Sequence, residues 1–167
     1  MNLFSPDQLM LALNQYLADW TEAGQKVTRF IAKDPWHPYE LIAGGPNGLC
    51  VVLSWAGASP LGNEEAEGLT LATQKLDVFL SYNPGLSVAP DDALVKGTDT
   101  RPSLLKLVGL LSRRILSMKF SDESDVRPYF RWAGTSPVTA PDGTPLRAFR
   151  MQFELDTDVE EPQPQEI

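Results

Sequence analysis

The sequence predicts an α+β protein, with a mixed or antiparallel sheet of about four to six strands and two main helices packed on one face. Three observations lead there. Residues 146–156 alternate strictly, with Phe149, Met151, Phe153 and Leu155 on one side and Arg150, Gln152, Glu154 and Asp156 on the other. That is the period of a strand with one face on a core. Two other stretches, near residues 6–23 and 103–118, repeat their apolar residues at helical spacing,. The elements also come in runs (a helix, about three or four strands, a helix, two strands), which favours an antiparallel or mixed sheet with helices on one face.

Taken in order, the first helix starts at Ser5 as N-cap, with Pro6 at its first position and Gln8 placed to close a capping box,. Leu9, Leu13, Tyr16, Leu17 and Trp20 form its stripe, which should run to about Ala23 and stop at Gly24,. Strands are expected over Val27–Ala32 and Tyr39–Ala43, the second turning through residues 44–48 into the apolar run 49–55,. The glycines of that turn do not form a phosphate cradle, because no Lys followed by Ser or Thr comes after them and a strand follows. Cys50 falls inside the apolar run and is expected to behave as a small core residue,.

Residues 56–70 lack periodicity and read as a long exposed loop,. Leu76, Val78, Leu80 and Tyr82 then alternate with Lys75, Asp77, Phe79 and Ser81, so Phe79 falls on an otherwise polar face, where it would cover a neighbouring helix or mark a binding site,. The second helix is expected to be capped by Asp99 or Thr100, with Pro102 in its first turn,. Leu104, Leu107, Val108, Leu111, Ile115 and Met118 make its stripe, and Leu105, Leu110 and Leu116 widen it toward the other side. A helix this apolar is buried on more than one face. Arg113 and Arg114 suit the negative end of its dipole,. The last third reads as a hairpin: a strand within 127–138, a turn at Asp142 and Gly143, and the alternating strand described first,.

With 167 residues and 43% hydrophobic content, the chain can bury one substantial core,. Residues 1–157 are accordingly expected to form a single domain. The net charge of −8 includes Asp156, Asp158, Glu160, Glu161 and Glu166, with no Lys or Arg after Arg150; without these five acids −3 remains. Residues 158–167 read as a disordered acidic tail. No basic stripe marks the body, which argues against binding nucleic acid by phosphate neutralisation. The apolar run 104–116 is broken by Lys106, Arg113 and Arg114, and residues 1–8 have no basic region followed by an apolar block. Neither a membrane span nor a signal peptide is expected, and a lone cysteine fits a reducing compartment.

Residue types that carry chemistry are sparse. His37 is the only histidine, flanked by Trp36 and Pro38, without further donors at metal-ligand spacing,. Ser54 and Ser59 lack a nucleophile elbow,. The carboxylate pairs Glu64 with Glu65 and Asp91 with Asp92, and those between Asp122 and Asp125, fall in polar segments where carboxylates are hydrated and ordinary,. No catalytic, cofactor-binding or metal-binding residue is therefore assigned.

The strand at 51–57, the strand at 75–82, the leucine-rich helix at 103–118 and the closing hairpin at 142–155 together resemble bacteriophage tail terminator (tail completion) proteins, especially those of contractile tails. The resemblance covers most of residues 5–157 in order and character. It implies a structural virion protein of the tail–neck region, assembled in the host cytoplasm. Such a subunit forms a ring, commonly a hexamer, on the end of a finished tail tube. There it stops polymerisation, contacts the tube and the sheath, and offers a surface to the head connector, with no cofactor, membrane or base recognition involved. Under that reading Arg113, Arg114, Arg131 and Arg150 are candidates for contacts between subunits or with the tube. Two alternatives stand beside it. One is another connector or baseplate adaptor of a phage or contractile injection machine. The other is a small hydrolase with an acidic site in the segments 56–70 and 87–100.

Overall fold

The strand richest in signal lies inside the sheet, flanked on both sides. In the computed structural model, which describes residues 5–21, 23–24, 26–44, 48–60, 69–83, 97, 102–119, 130–138 and 147–160, one sheet runs through the molecule. Its strands are β1 (Val27–Ile31), β2 (Gly48–Pro60), β3 (Leu69–Asn83), β4 (Arg131–Val138) and β5 (Arg147–Glu160), in the order β1-β2-β3-β5-β4. β1 pairs parallel with β2, and the other neighbours pair antiparallel. Three helices join them: α1 (Pro6–Tyr16), α2 (His37–Gly44) and α3 (Leu104–Leu116). The α+β fold and its mixed sheet are as the sequence predicts.

Alternation decides which residues form the main core. Leu49, Val51 and Leu53 of β2, Leu76, Val78 and Leu80 of β3, and Met151, Phe153 and Leu155 of β5 fall on one face of the sheet, and all are buried. Leu9, Met10 and Leu13 of α1 and Leu104, Leu107, Leu111 and Ile115 of α3 pack into the same cluster. The two main helices thus share one face. They are also tied to each other: the Arg114 guanidinium lies 4.4 Å from the centre of the Tyr16 ring and donates to the Tyr16 carbonyl at 3.4 Å.

Several boundaries differ from the expectation, each for a local reason. α1 ends at Tyr16 and tightens into a 3₁₀ turn over Leu17–Asp19, yet Trp20 and Ala23 remain buried. The apolar spacing outlasts the helix because the chain stays on the core. α3 is capped by Ser103, whose hydroxyl accepts from the Lys106 amide at 3.3 Å, so Asp99 and Thr100 are not its cap and Pro102 precedes the helix. Ser103 is extended (φ −60°, ψ 154°), as an N-cap residue is, so the helix starts at Leu104,.

The segment Tyr39–Ala43, read above as a strand, lies in α2. The Asp34 carboxylate accepts from the amides of Trp36 (2.8 Å) and His37 (2.9 Å), closing the turn that launches the helix. A short apolar run does not distinguish strand from helix by period, and here the start signal at Asp34 decided it. α2 packs on the face opposite α1 and α3, where Ile42 meets Cys50, Val52, Phe79 and Ala148. Phe79 is therefore buried beneath a helix, with the Tyr39 ring edge-on at 5.6 Å.

The long loop expected at 56–70 is shorter, since β2 continues to Pro60 and β3 begins at Leu69. Residues 61–68 lie outside the described residues, as do 127–129, most of 87–100 and the turn at 142–143. β5 continues past the expected domain boundary: Asp158, Val159 and Glu160 pair with Leu71, Thr70 and Leu69. The acidic tail expected from residue 158 therefore begins within a strand, and 161–167 lie outside the described residues.

Two outcomes are expected. A chain ending at Glu160 keeps the β3–β5 ladder whole and melts at a higher temperature than one ending at Thr157, which loses the pairing with Leu69–Leu71; thermal denaturation of the two truncations checks this. Phe153, fully buried and edge-on to Phe130 at 6.3 Å, should cost about 3–5 kcal/mol when replaced by alanine, read from urea unfolding.

Candidate functional site

α2 covers only the upper half of its face of the sheet. The rest of that face carries Asp77, Lys75 and Thr73 from β3, Arg150, Gln152, Glu154 and Asp156 from β5, and Arg131 from β4, all on one side by register. Two of its arginines pair with three of its carboxylates. Arg150 donates to the Asp77 carboxylate at 2.6 Å, and Arg131 meets Glu154 at 3.5 Å and grips Asp156 through both of its terminal nitrogens. Thr73 adds its hydroxyl to Asp156 at 2.8 Å.

These contacts set the protonation of the groups. The Arg131 guanidinium holds the Asp156 carboxyl below the usual carboxylate range, against a smaller opposing effect of burial, with Thr73 assisting. Asp77 in turn raises the affinity of Arg150 for its proton, again against burial. The Asp156 carboxylate is thereby held ionised beside a permanent cation,. That arrangement suits a surface which presents both signs at fixed positions. It does not suit a carboxyl poised to shuttle a proton near neutral pH.

Between this ladder and the turn that launches α2 lies a groove of about 690 Å3. Lys33, Trp36 and Tyr39 form one wall, Trp55 to Gly57 another, and Asp77, Phe79 and Arg150 the floor. Local chemistry fixes the first wall: besides the Asp34 contacts, the Lys33 amide donates to Nδ1 of His37 at 3.0 Å. His37 is a turn residue that closes the start of α2. Trp36 stands 74% exposed at the rim.

Tryptophan is placed in a pattern that the reading of the sequence missed. Trp-Ala-Gly occurs twice, at 55–57 and at 132–134, and both copies sit at bulges where the register skips one residue. Trp55 pairs with Leu76, Leu76 with Phe153, and Phe153 with Trp132, so the two tryptophans end a single row across four strands. Both are partly exposed. Gly57 has φ +109°, a conformation that a side chain would strain, which explains the glycine after the bulge,. The repeated tripeptide was the signal in the sequence.

Of the four arginines singled out above, the structure brings Arg131 and Arg150 onto the open sheet face. Arg114 packs over Tyr16 in the helix layer on the other side, and Arg113 is exposed near the end of α3. The four do not form one cluster. Cys50 is buried, and burial pushes its thiol up to about 11, so it stays protonated. Among the described residues no group of three or more His, Cys, Asp or Glu could hold a metal ion, and no helix is long and apolar enough to cross a membrane. No protein-family model matches the chain, and no curated protein matches it in sequence.

Because the Asp156 carboxyl is held low in the folded state, its pairing with Arg131 stabilises the fold above the unfolded pKa and is lost as pH falls through the folded one,. The stability gap between the wild type and Arg131→Ala should be steady from neutral pH to about pH 5 and shrink below about pH 4. Urea unfolding across that range measures it.

Proposed function

We propose that this chain is a structural subunit of the phage tail terminator kind. It caps the end of a tail tube as a ring, stops tail polymerisation and presents a surface for head–tail joining, acting by fit to its neighbours with no bond made or broken. One observation carries the proposal: large apolar side chains are exposed on separate sides of the molecule. Leu11 on α1 and Leu105 on α3 stand 60% and 50% exposed in the helix layer, Trp36 rims the groove, and Trp132 is 57% exposed on the edge strand β4. We read them as contact points for other proteins, since tryptophan in particular is enriched at the centres of protein interfaces. A ring subunit needs this distribution, with two different lateral faces toward copies of itself and two axial faces toward tube and connector. The charge-paired sheet face supports the same reading, since fixed ion pairs of both signs specify register between proteins.

Light scattering after size separation should give a particle of about six subunits, or one that assembles as concentration rises. Depleting the protein during phage growth should yield overlong tails. A tight monomer at every concentration, or tails of normal length after depletion, overturns the proposal.

A further inference from the structure

The sheet has two bare edges at one level, and they differ in chemistry. β1 pairs with β2 only along Leu49–Leu53, and the Ala32 amide makes a last bond to the Leu53 carbonyl at 2.8 Å before the chain turns away at Asp34. From Ser54 to Pro60 the outer side of β2 has no strand partner among the described residues. On the opposite flank β4 pairs with β5 no further than Glu154, so from Leu155 to Glu160 the outer side of β5 is also unpaired among the described residues. The register sets the two edges level, with Ser59, Thr73 and Asp156 in one row and Pro60, Ala72 and Thr157 in the next. Both strands run antiparallel to β3 and hence in the same direction as each other.

A row of unpaired N–H and C=O groups is a template for another strand. Residues 155–160 contain Asp156, Asp158 and Glu160 and no base, whereas residues 54–60 are uncharged and run beside the groove that holds Lys33. Two β5 edges brought together would set like charges opposite each other, which destabilises a ladder. A β5 edge against a β2 edge instead lies along a strand segment that carries no charge of its own, beside a groove where Lys33 and Arg150 stand with Asp34 and Asp77. Contact between unlike edges is head-to-tail, the kind that closes into a ring when each step turns by a fixed angle.

Resting on the ring reading above, we infer that the open edge of β2 at 54–60 receives the open edge of β5 at 155–160 from a second copy of this chain. The strands pair in parallel and join the sheets of neighbouring subunits, with Lys33 and Trp36 beside the junction. Each protomer offers one acidic edge and one uncharged edge, so every junction in the ring is alike.

Ser59→Cys combined with Asp158→Cys, or with Glu160→Cys, puts both thiols on the open face of the joined sheet and tests two registers two residues apart,; buried Cys50 does not compete for oxidation. Under mild oxidation one of these pairs should give a covalent ladder of oligomers on a non-reducing gel. The ladder should collapse to monomer on reduction, and each single variant should stop at dimer. In the unaltered chain, hydrogen exchange at amides 55–60 and 155–160 should slow at least tenfold on going from dilute protein to assembled ring. If light scattering shows a ring but neither pair gives a ladder and those amides exchange freely, edge pairing is overturned while the ring reading stands on other surfaces. A monomer at every concentration overturns both.

Discussion

The pairing of β3 with β5 is the constraint on which the rest of this structure depends. The two strands run side by side from Leu69 to Tyr82 and from Arg147 to Glu160. Their register sends Leu76, Val78 and Leu80, and with them Met151, Phe153 and Leu155, to the side that α1 and α3 cover. A slip of one residue would exchange that set for Asp77, Phe79, Arg150 and Gln152. Burying those charges would cost more than any new contact could return. Register is thus locked by the alternation itself, and a buried hydrogen bond from Gln74 to the hydroxyl of Thr157 at 3.0 Å fixes it again at the far end.

Given that pair, the two faces of the sheet meet different fates. One face is apolar along its length and takes two helices. The other is apolar only where Cys50, Val52, Phe79 and Ala148 lie, and a helix as short as α2 suffices to cover it. Below that patch the side chains are charged, and a second covering layer would have to desolvate them. Ion pairs such as Arg150 with Asp77 instead leave this half of the face at a surface, with its charges locally balanced,. The groove opens at the border between the covered and uncovered halves.

That border also gathers the features that suit assembly. Trp36 and Tyr39 stand beside it, and the bulge at Ala56 lies within the stretch of β2 that β1 does not reach. Bulges twist a strand and re-aim its side chains, and the matching pair at Ala56 and Ala133 does so on both sides of the central strands at one level,. The proposed role asks nothing of these residues beyond position and shape. That agrees with a molecule whose carboxylates on the open face are tied to arginines.

Strict alternation in residues 146–156, and the stripes beginning at Leu9 and Leu104, were enough to predict the α+β class and the residues of the main core. Burial on one side leaves a period that any partner would have demanded. The capping chemistry at Ser5 was equally legible, because it is satisfied within a few residues. The nature of residues 39–43, the burial of Phe79, the extension of β2 to Pro60 and the pairing of Arg131 with Asp156 were decided only by tertiary structure. Each depends on what lies opposite in space: a short apolar run becomes helix or strand according to the surface it meets, and an arginine finds its carboxylate on a neighbouring strand. The groove and the bare edges belong to the same class, since they come from strands of unequal length placed side by side, and relative length acquires meaning only once the order of the strands is known.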